Sequence, residues 1–171
     1  MEKVLPFPTE DRKGVAGLKI RTAVAADMER IVALYHHLFQ AMEALQPDVM
    51  RDVEQDPSFI RDTIESEKGD ILLAEVEGEV AGFALVRQEH TPPYPCMVPH
   101  EFCFLLDLSV APKARGTGVG SALLSAVKRW ATERGLDYVE LNVLSNNAGA
   151  KRLYAREGFV CKQETLRFSV K

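Results

Sequence analysis

Apolar residues recur along this chain with two different periods, and the changes of period mark out the elements. Leu18-Lys19-Ile20-Arg21-Thr22 alternates, which predicts a first strand. Asp27 then stands as a helix N-cap, and Met28, Ile31, Val32, Tyr35, Leu38, Phe39 and Met42 repeat behind it at helical spacing. Gln46-Pro47-Asp48 breaks this helix. Asp56-Pro57 offers the N-cap and first position of another, with Phe59, Ile60, Thr63 and Ile64 on one face and Lys68-Gly69 at its close. Ile71 to Val76 and Glu79 to Val86 read as strands joined by Glu77-Gly78, a tight-hairpin signal.

The second half repeats this logic. Pro92, Pro93, Pro95 and Pro99 exclude regular structure between His90 and His100 and predict a stiffened loop. Glu101 to Val110 is an apolar strand, in which alternation sets Asp107 on the face opposite Leu106 and Leu108. A helix from Val119 carries Leu123, Leu124, Val127, Trp130 and Ala131 on one side, and Gly135 ends it. Tyr138 to Leu144 predicts another strand, and Asn147 to Arg156 a short helix stopped at Gly158. Phe159 to Val170, with Thr165, Leu166, Phe168 and Val170, reads as closing strands.

Composition narrows the class without naming it. A chain of 171 residues, 46% of them apolar, fits one domain with a proper core. Residues 1–17 offer little to bury and read as a flexible lead-in, which leaves 18–171 as the folded domain. A net charge of −4 provides no basic footprint for nucleic acid. The N-terminus has no apolar core to act as a signal, and no run approaches membrane-spanning length. Cys96, Cys103 and Cys161 show no metal-ligand spacing, so reduced thiols and a cytoplasmic location are expected. His36 and His37 diverge around their helix and do not chelate as a pair. No metal is expected.

Candidate chemistry begins at Arg115-Gly116-Thr117-Gly118-Val119-Gly120, set between the strand and the long helix. Three glycines let the backbone amides approach a ligand closely, and the helix N-terminus adds its dipole, an arrangement suited to phosphate. It is not a nucleotide P-loop, since no Gly-Lys-Ser/Thr follows. Nor is it the dinucleotide fingerprint, because Ser121 stands where the third glycine belongs. A turn that simply requires glycine is the alternative.

Arg115-x-x-Gly118-x-Gly120, the following helix and strand, Asn147-x-x-Ala150-x-x-Leu153-Tyr154 and Gly158-Phe159 together resemble the GNAT superfamily of N-acetyltransferases. The resemblance is strongest over Leu106 to Phe159 and extends more loosely back to about Leu18. It implies an α/β (α+β) single domain with a mixed, mostly antiparallel sheet and helices on both faces. It also implies direct transfer of an acetyl group from acetyl-CoA to a primary amine in a ternary complex, without a metal. The amides of Arg115, Gly116, Thr117, Gly118, Val119, Gly120 and Ser121 would receive the CoA phosphates. The pantetheine arm would pair with the backbone of Leu108, Ser109 and Val110, and Asn147 would hydrogen-bond it. Tyr154 would be the general acid.

The base is less defined, because some relatives carry glutamate where this chain has Leu106. Asp107, acting through water, is the first candidate, followed by Glu101 and Glu140. In the family the first two helices and their connector, here with Asp48, Asp52 and Glu54, form one wall of the acceptor site. His90, Tyr94 and His100 are further candidates for acceptor contact, or parts of a plain connection. Homodimers are frequent among such proteins. Two other classes stay open: an acyl-CoA sensor of the same fold without turnover, and, with less support, a dinucleotide oxidoreductase.

Overall fold

The computed structural model describes residues 16–171, so positions 1–15 of the expected lead-in lie outside the described residues. The strands are β1 (Leu18–Thr22), β2 (Gly69–Val76), β3 (Glu79–His90), β4 (Glu101–Val110) and β5 (Val139–Leu141). They lie side by side in chain order. The pairings from β1 to β4 are antiparallel, whereas β4 and β5 run parallel. A parallel neighbour needs a crossover, and α3 (Val119–Glu133) supplies it. Helices α1 (Met28–Leu45), α2 (Pro57–Glu65) and α4 (Ala148–Arg156) complete the fold.

Each face of the sheet has its own core. Ile31, Leu34 and Tyr35 of α1 and Ile60 of α2 pack against Phe83, Leu85 and Ile71 on one face. Leu123, Leu124, Val127 and Trp130 of α3 pack against Leu72, Ala84 and Val86 on the other. This two-sided burial explains why the central strands read as continuous apolar runs. The β2–β3 turn places Glu77 at φ 52° and Gly78 at φ 84°, the two positive values a tight primed turn requires.

Local chemistry corrects several expectations. Asp27 precedes α1, but its carboxylate does not cap that helix. It accepts from the Val24 N–H and from both terminal nitrogens of Arg21, because a bidentate guanidinium outcompetes neutral amides. Asp56 does cap α2, accepting from Ser58 N–H at 2.8 Å. β3 runs beyond Val86 to His90, while the strand expected over Tyr138 to Leu144 shrinks to Val139–Leu141. Phe159 to Val170 forms no strand. Leu166, Phe168 and Val170 are 85–90% exposed. Their β propensity describes fit to a neighbouring strand, and here no described strand lies beside them.

Alternation also fails on β4. The register passes from Val86 opposite Leu105 to Leu85 opposite Asp107, which leaves Leu106 as an extra residue in a β-bulge. Leu106 and Asp107 therefore both face α1: Leu106 packs in that core, and Asp107 accepts from the α1 residue Tyr35.

Candidate active site

β4 pairs with β5 only from Cys103 to Leu105. Beyond the bulge the pairing ends, so the β5 side of residues 106–110 has no neighbouring strand among the described residues. Which amides enter this gap follows from the ladder. Ala111 N–H donates to Ala81 O at 2.8 Å, so alternation turns the Ser109 N–H towards β3 and those of Leu108 and Val110 into the gap. Ser109 is buried, and its hydroxyl donates to Leu34 O at 3.1 Å. Ser109 thus ties β4 to α1 with its side chain, and the unpaired donors belong to its two neighbours.

At the end of β4 the chain makes one 3₁₀ turn, Pro112–Ala114, and enters the glycine loop. Gly116 and Gly118 have φ of 75° and 99°, values that L side chains rarely adopt, and Gly118 directly precedes α3. Thr117 Oγ1 donates to Ala114 O at 2.7 Å, and Arg115 Nε folds back onto Val110 O at 3.1 Å. Val119 is fully buried and presents no exposed surface. Gly120 has a packing role that its position in the motif conceals. A Cβ there would lie 3.1 Å from Leu153 Cδ2, so the glycine lets α4 approach α3. Ser121 follows on α3 and is half-buried, with Arg156 Nη2 3.5 Å from its hydroxyl.

α4 delivers the remaining candidates. Asn147 is its N-cap, accepting from Ala150 N–H at 3.1 Å through Oδ1, which leaves its amide nitrogen as a donor. Tyr154 is half-buried, with its ring edge-on to Phe159 at 5.8 Å. Its hydroxyl makes no hydrogen bond among the described residues. Burial first, and then the charge of Asp107, pushes its pKa up to about 12, so the phenol keeps its proton at neutral pH.

Asp107 is half-buried on the α1 side of the sheet. Burial raises its pKa, opposed by the Tyr35 hydrogen bond and more weakly by the charge of Arg87. Tyr35 Oη donates to Asp107 Oδ2 at 2.7 Å. Helical spacing had marked Tyr35 only as a core position, and nothing in the sequence ties it to a residue 72 positions away. Cys103 is buried and its thiol is pushed up to about 12, as befits a small core residue rather than a nucleophile.

Leu108 and Val110 thus border the β4–β5 gap, the glycine loop follows from the end of β4, and Tyr154 on α4 lies within the electrostatic reach of Asp107. Glu101 lies at the far end of β4, where it accepts from Gln88 Nε2, and Glu140 is an exposed residue of β5. His90, Tyr94 and His100 line a separate hollow of about 920 Å³ beside Gly135 and Asp137. This hollow begins at Glu101, roughly 20 Å of strand from Asp107, so those three residues do not join the group. His100 Nδ1 instead pairs with Asp137 Oδ2 at 2.7 Å. On the connector after α1, Asp52 meets His36 at 3.2 Å, and Asn146 bridges Leu45 O and Gln46.

A sheet that parts beside a bulged strand, followed by a glycine loop opening a helix, defines a class of acyl-transfer proteins. The model of the Acetyltransferase (GNAT) family matches residues 28–159, and the chain belongs to that family. It is similar to the uncharacterized N-acetyltransferase YhfO of Bacillus subtilis, 28% identical over 83% of this chain and 89% of that one. A mutant Bacillus halodurans protein shares the fold with a TM-score of 0.85, at 24% identity over 89% of this chain and 99% of the other. The aminoglycoside N-acetyltransferase AAC(6')-Iy, solved with CoA, shares it at a TM-score of 0.68 and 20% identity, covering 94% and 97% of the two chains. The protein is an acetyltransferase with a five-stranded mixed sheet between helices. No described helix is long and apolar enough to cross a membrane. No cluster of three metal-ligating side chains occurs among the described residues.

Proposed function

We propose that the protein transfers the acetyl group of acetyl-CoA directly to the primary amine of a small molecule. The observation that carries this reading is the gap beyond Leu105, into which the amides of Leu108 and Val110 turn with no described strand to pair them. An extended pantetheine arm has the amide groups to satisfy those donors by strand addition. The glycine loop, with its positive φ values and exposed amides, suits the pyrophosphate. Asn147 contributes its amide nitrogen to the same arm, and Arg115 and Lys113 lie exposed beside the loop as cations.

Acetyl-CoA supplies the acyl group as an activated thioester. Asp107 takes the proton of the acceptor ammonium, directly or through water. Burial raises its pKa, which makes it a stronger base than an ordinary carboxylate. The neutral amine then attacks the carbonyl carbon, so that a C–N bond forms and the C–S bond breaks. The Val110 N–H, aimed into the gap, stabilises the developing oxyanion, an effect worth a few kcal/mol in such sites. Tyr154 donates its proton to the departing sulfur. The proton shed by the acylated nitrogen as the amide forms restores the Tyr154 phenol, while Asp107 releases its own proton to solvent. The aminoglycoside enzyme of the same fold is consistent with a small polyamine as acceptor.

The test is mass-spectrometric detection of acetyl transfer from acetyl-CoA to a mixed panel of aminoglycosides, polyamines, amino acids and peptide amines. CoA release is followed alongside. Acetylation of one small amine well above the peptides supports the reading. Firm CoA binding without transfer to any amine would instead make the protein a sensor of acyl-CoA.

A further inference from the structure

Among the described residues two acids, Asp27 and Asp70, are buried, and the half-buried Asp107 is treated differently from both. Asp27, 3% exposed, is held by Arg21 in a bidentate pair. Asp70, 6% exposed, is held by Arg134 at 3.0 Å together with the Trp130 N–H. Both charges are thus fixed by a guanidinium, the usual solution for a structural carboxylate. Asp107 forms no ion pair among the described residues; its hydrogen-bond donor is the neutral phenol of Tyr35. A guanidinium would pin the carboxylate in its charged form. A phenol orients it and leaves it free to gain and lose a proton.

Tyr35 is itself held rigidly. It is fully buried, with its ring centroid 4.7 Å from that of Phe83 and 5.3 Å from that of Phe39. Its hydroxyl also meets the side chain of Gln55. The Gln55 carbonyl, Oε1, accepts from the Asp56 N–H at 2.9 Å, so its amide nitrogen is the group that faces the phenol oxygen. Gln55 on the α1–α2 connector thus stands beside Tyr35, which in turn donates to Asp107. Tyr35 donates to Oδ2, which leaves Oδ1 as the oxygen available to take a proton.

We propose that Tyr35 is a positioning residue of the transfer reaction, aiming the Asp107 carboxylate and linking it through Gln55 to the connector between α1 and α2. The inference rests on the reading of Asp107 as the base. The groups that face Asp107 are Tyr35 on α1, Arg87 on β3 and Tyr154 on α4. Of these, Tyr35 and Arg87 favour the carboxylate against burial. Removing the Tyr35 hydroxyl therefore raises the Asp107 pKa and moves the acid limb of the rate profile to higher pH. Gln55, which polarises the phenol, acts in the same direction with a smaller effect.

The experiment compares wild type, Tyr35→Phe, Gln55→Ala and Asp107→Asn in the full chain, using acetyl-CoA and the best amine of the panel above. Carbon-13 NMR of labelled aspartate carboxyls, assigned with Asp107→Asn, follows the titration without turnover. Tyr35→Phe is expected to lower kcat at least tenfold with the KM for acetyl-CoA within twofold. The Asp107 titration and the acid limb should move up together. Unchanged kcat and titration in Tyr35→Phe, with Asp107→Asn inactive, would overturn the positioning role while sparing the base. Wild-type turnover in Asp107→Asn would remove the base itself. Should Tyr35→Phe not fold, Gln55→Ala decides: an unchanged titration there overturns the proposed link.

Discussion

A Cβ on Gly82 would lie 2.7 Å from the carbonyl oxygen of Ser109. Backbone cannot step aside as a side-chain end can, so glycine at 82 is what allows β3 to lie this close to β4 beside the gap. Gly82→Ala should cost about 1–3 kcal/mol by overpacking. It should also push β4 where Leu108 and Val110 present their amides, so the KM for acetyl-CoA rises severalfold beyond any loss of folded protein. Gly149→Ala is the control. There a Cβ would meet nothing nearer than 3.8 Å, and urea unfolding should show no loss of stability. Equal KM values in the two variants would mean that the β4 backbone does not hold the cosubstrate.

Tyr154→Phe keeps the ring against Phe159 and removes only the hydroxyl. Loss of a general acid is worth about 10²–10⁴-fold in kcat. CoA affinity, measured by calorimetry, should stay within twofold. Because the phenol is pushed up to about 12, the wild-type rate should show no alkaline loss from Tyr154 itself below about pH 10. Wild-type turnover in the variant would assign Tyr154 to packing.

Much of this arrangement was legible before any coordinates, and the reason is physical. The 3.6-residue period of Val119, Leu123, Leu124, Val127 and Trp130 reports a face that packs on the sheet, and those residues are fully buried. Gly118 preceding a helix and Asn147 capping one are local devices, decided within a few residues. What stayed hidden depends on partners distant in the chain. The bulge at Leu106 arises from register with β3, so strict alternation misplaced that residue relative to Asp107. Asp27 looked like a cap because Arg21's reach towards it depends on the turn between them. Phe168 and Val170 have the propensity of a strand, yet a strand also requires a neighbour. Tyr35 was readable as core and unreadable as the donor to Asp107.

Trp130 and Asp70 join α3 to the start of β2, at 2.8 Å, while Arg134 lies 3.9 Å over the indole ring. Asp70→Ala leaves the buried indole N–H without an acceptor and Arg134 without its carboxylate. The loss should be about 2–4 kcal/mol, read as a lower urea midpoint with an unchanged slope. Asp70→Asn keeps an acceptor oxygen and should lose less. A loss as large as that of alanine would show that charge, rather than the hydrogen bond to Trp130, dominates.

The ion pair of Arg21 and Asp27 predicts how stability falls in acid. Two guanidinium hydrogen bonds, at 2.7 and 2.8 Å, hold the Asp27 carboxyl below its ordinary range, with the Val24 N–H helping and burial opposing. The folded value is therefore lower than the unfolded one of ~3.9. The unfolded chain takes up its proton first as pH falls. This contribution is complete above the unfolded value and disappears as pH drops through the folded one. Asp27→Asn should be less stable than wild type at pH 7, and the gap between their urea unfolding free energies should close progressively below about pH 4. Glu75 also binds Arg21, at 2.6 Å from Nη2, so Glu75→Gln should likewise be less stable than wild type at pH 7. A difference between wild type and Asp27→Asn that stays constant from pH 7 to about pH 2.5 would mean that shape, and not the Asp27 charge, is what this position contributes.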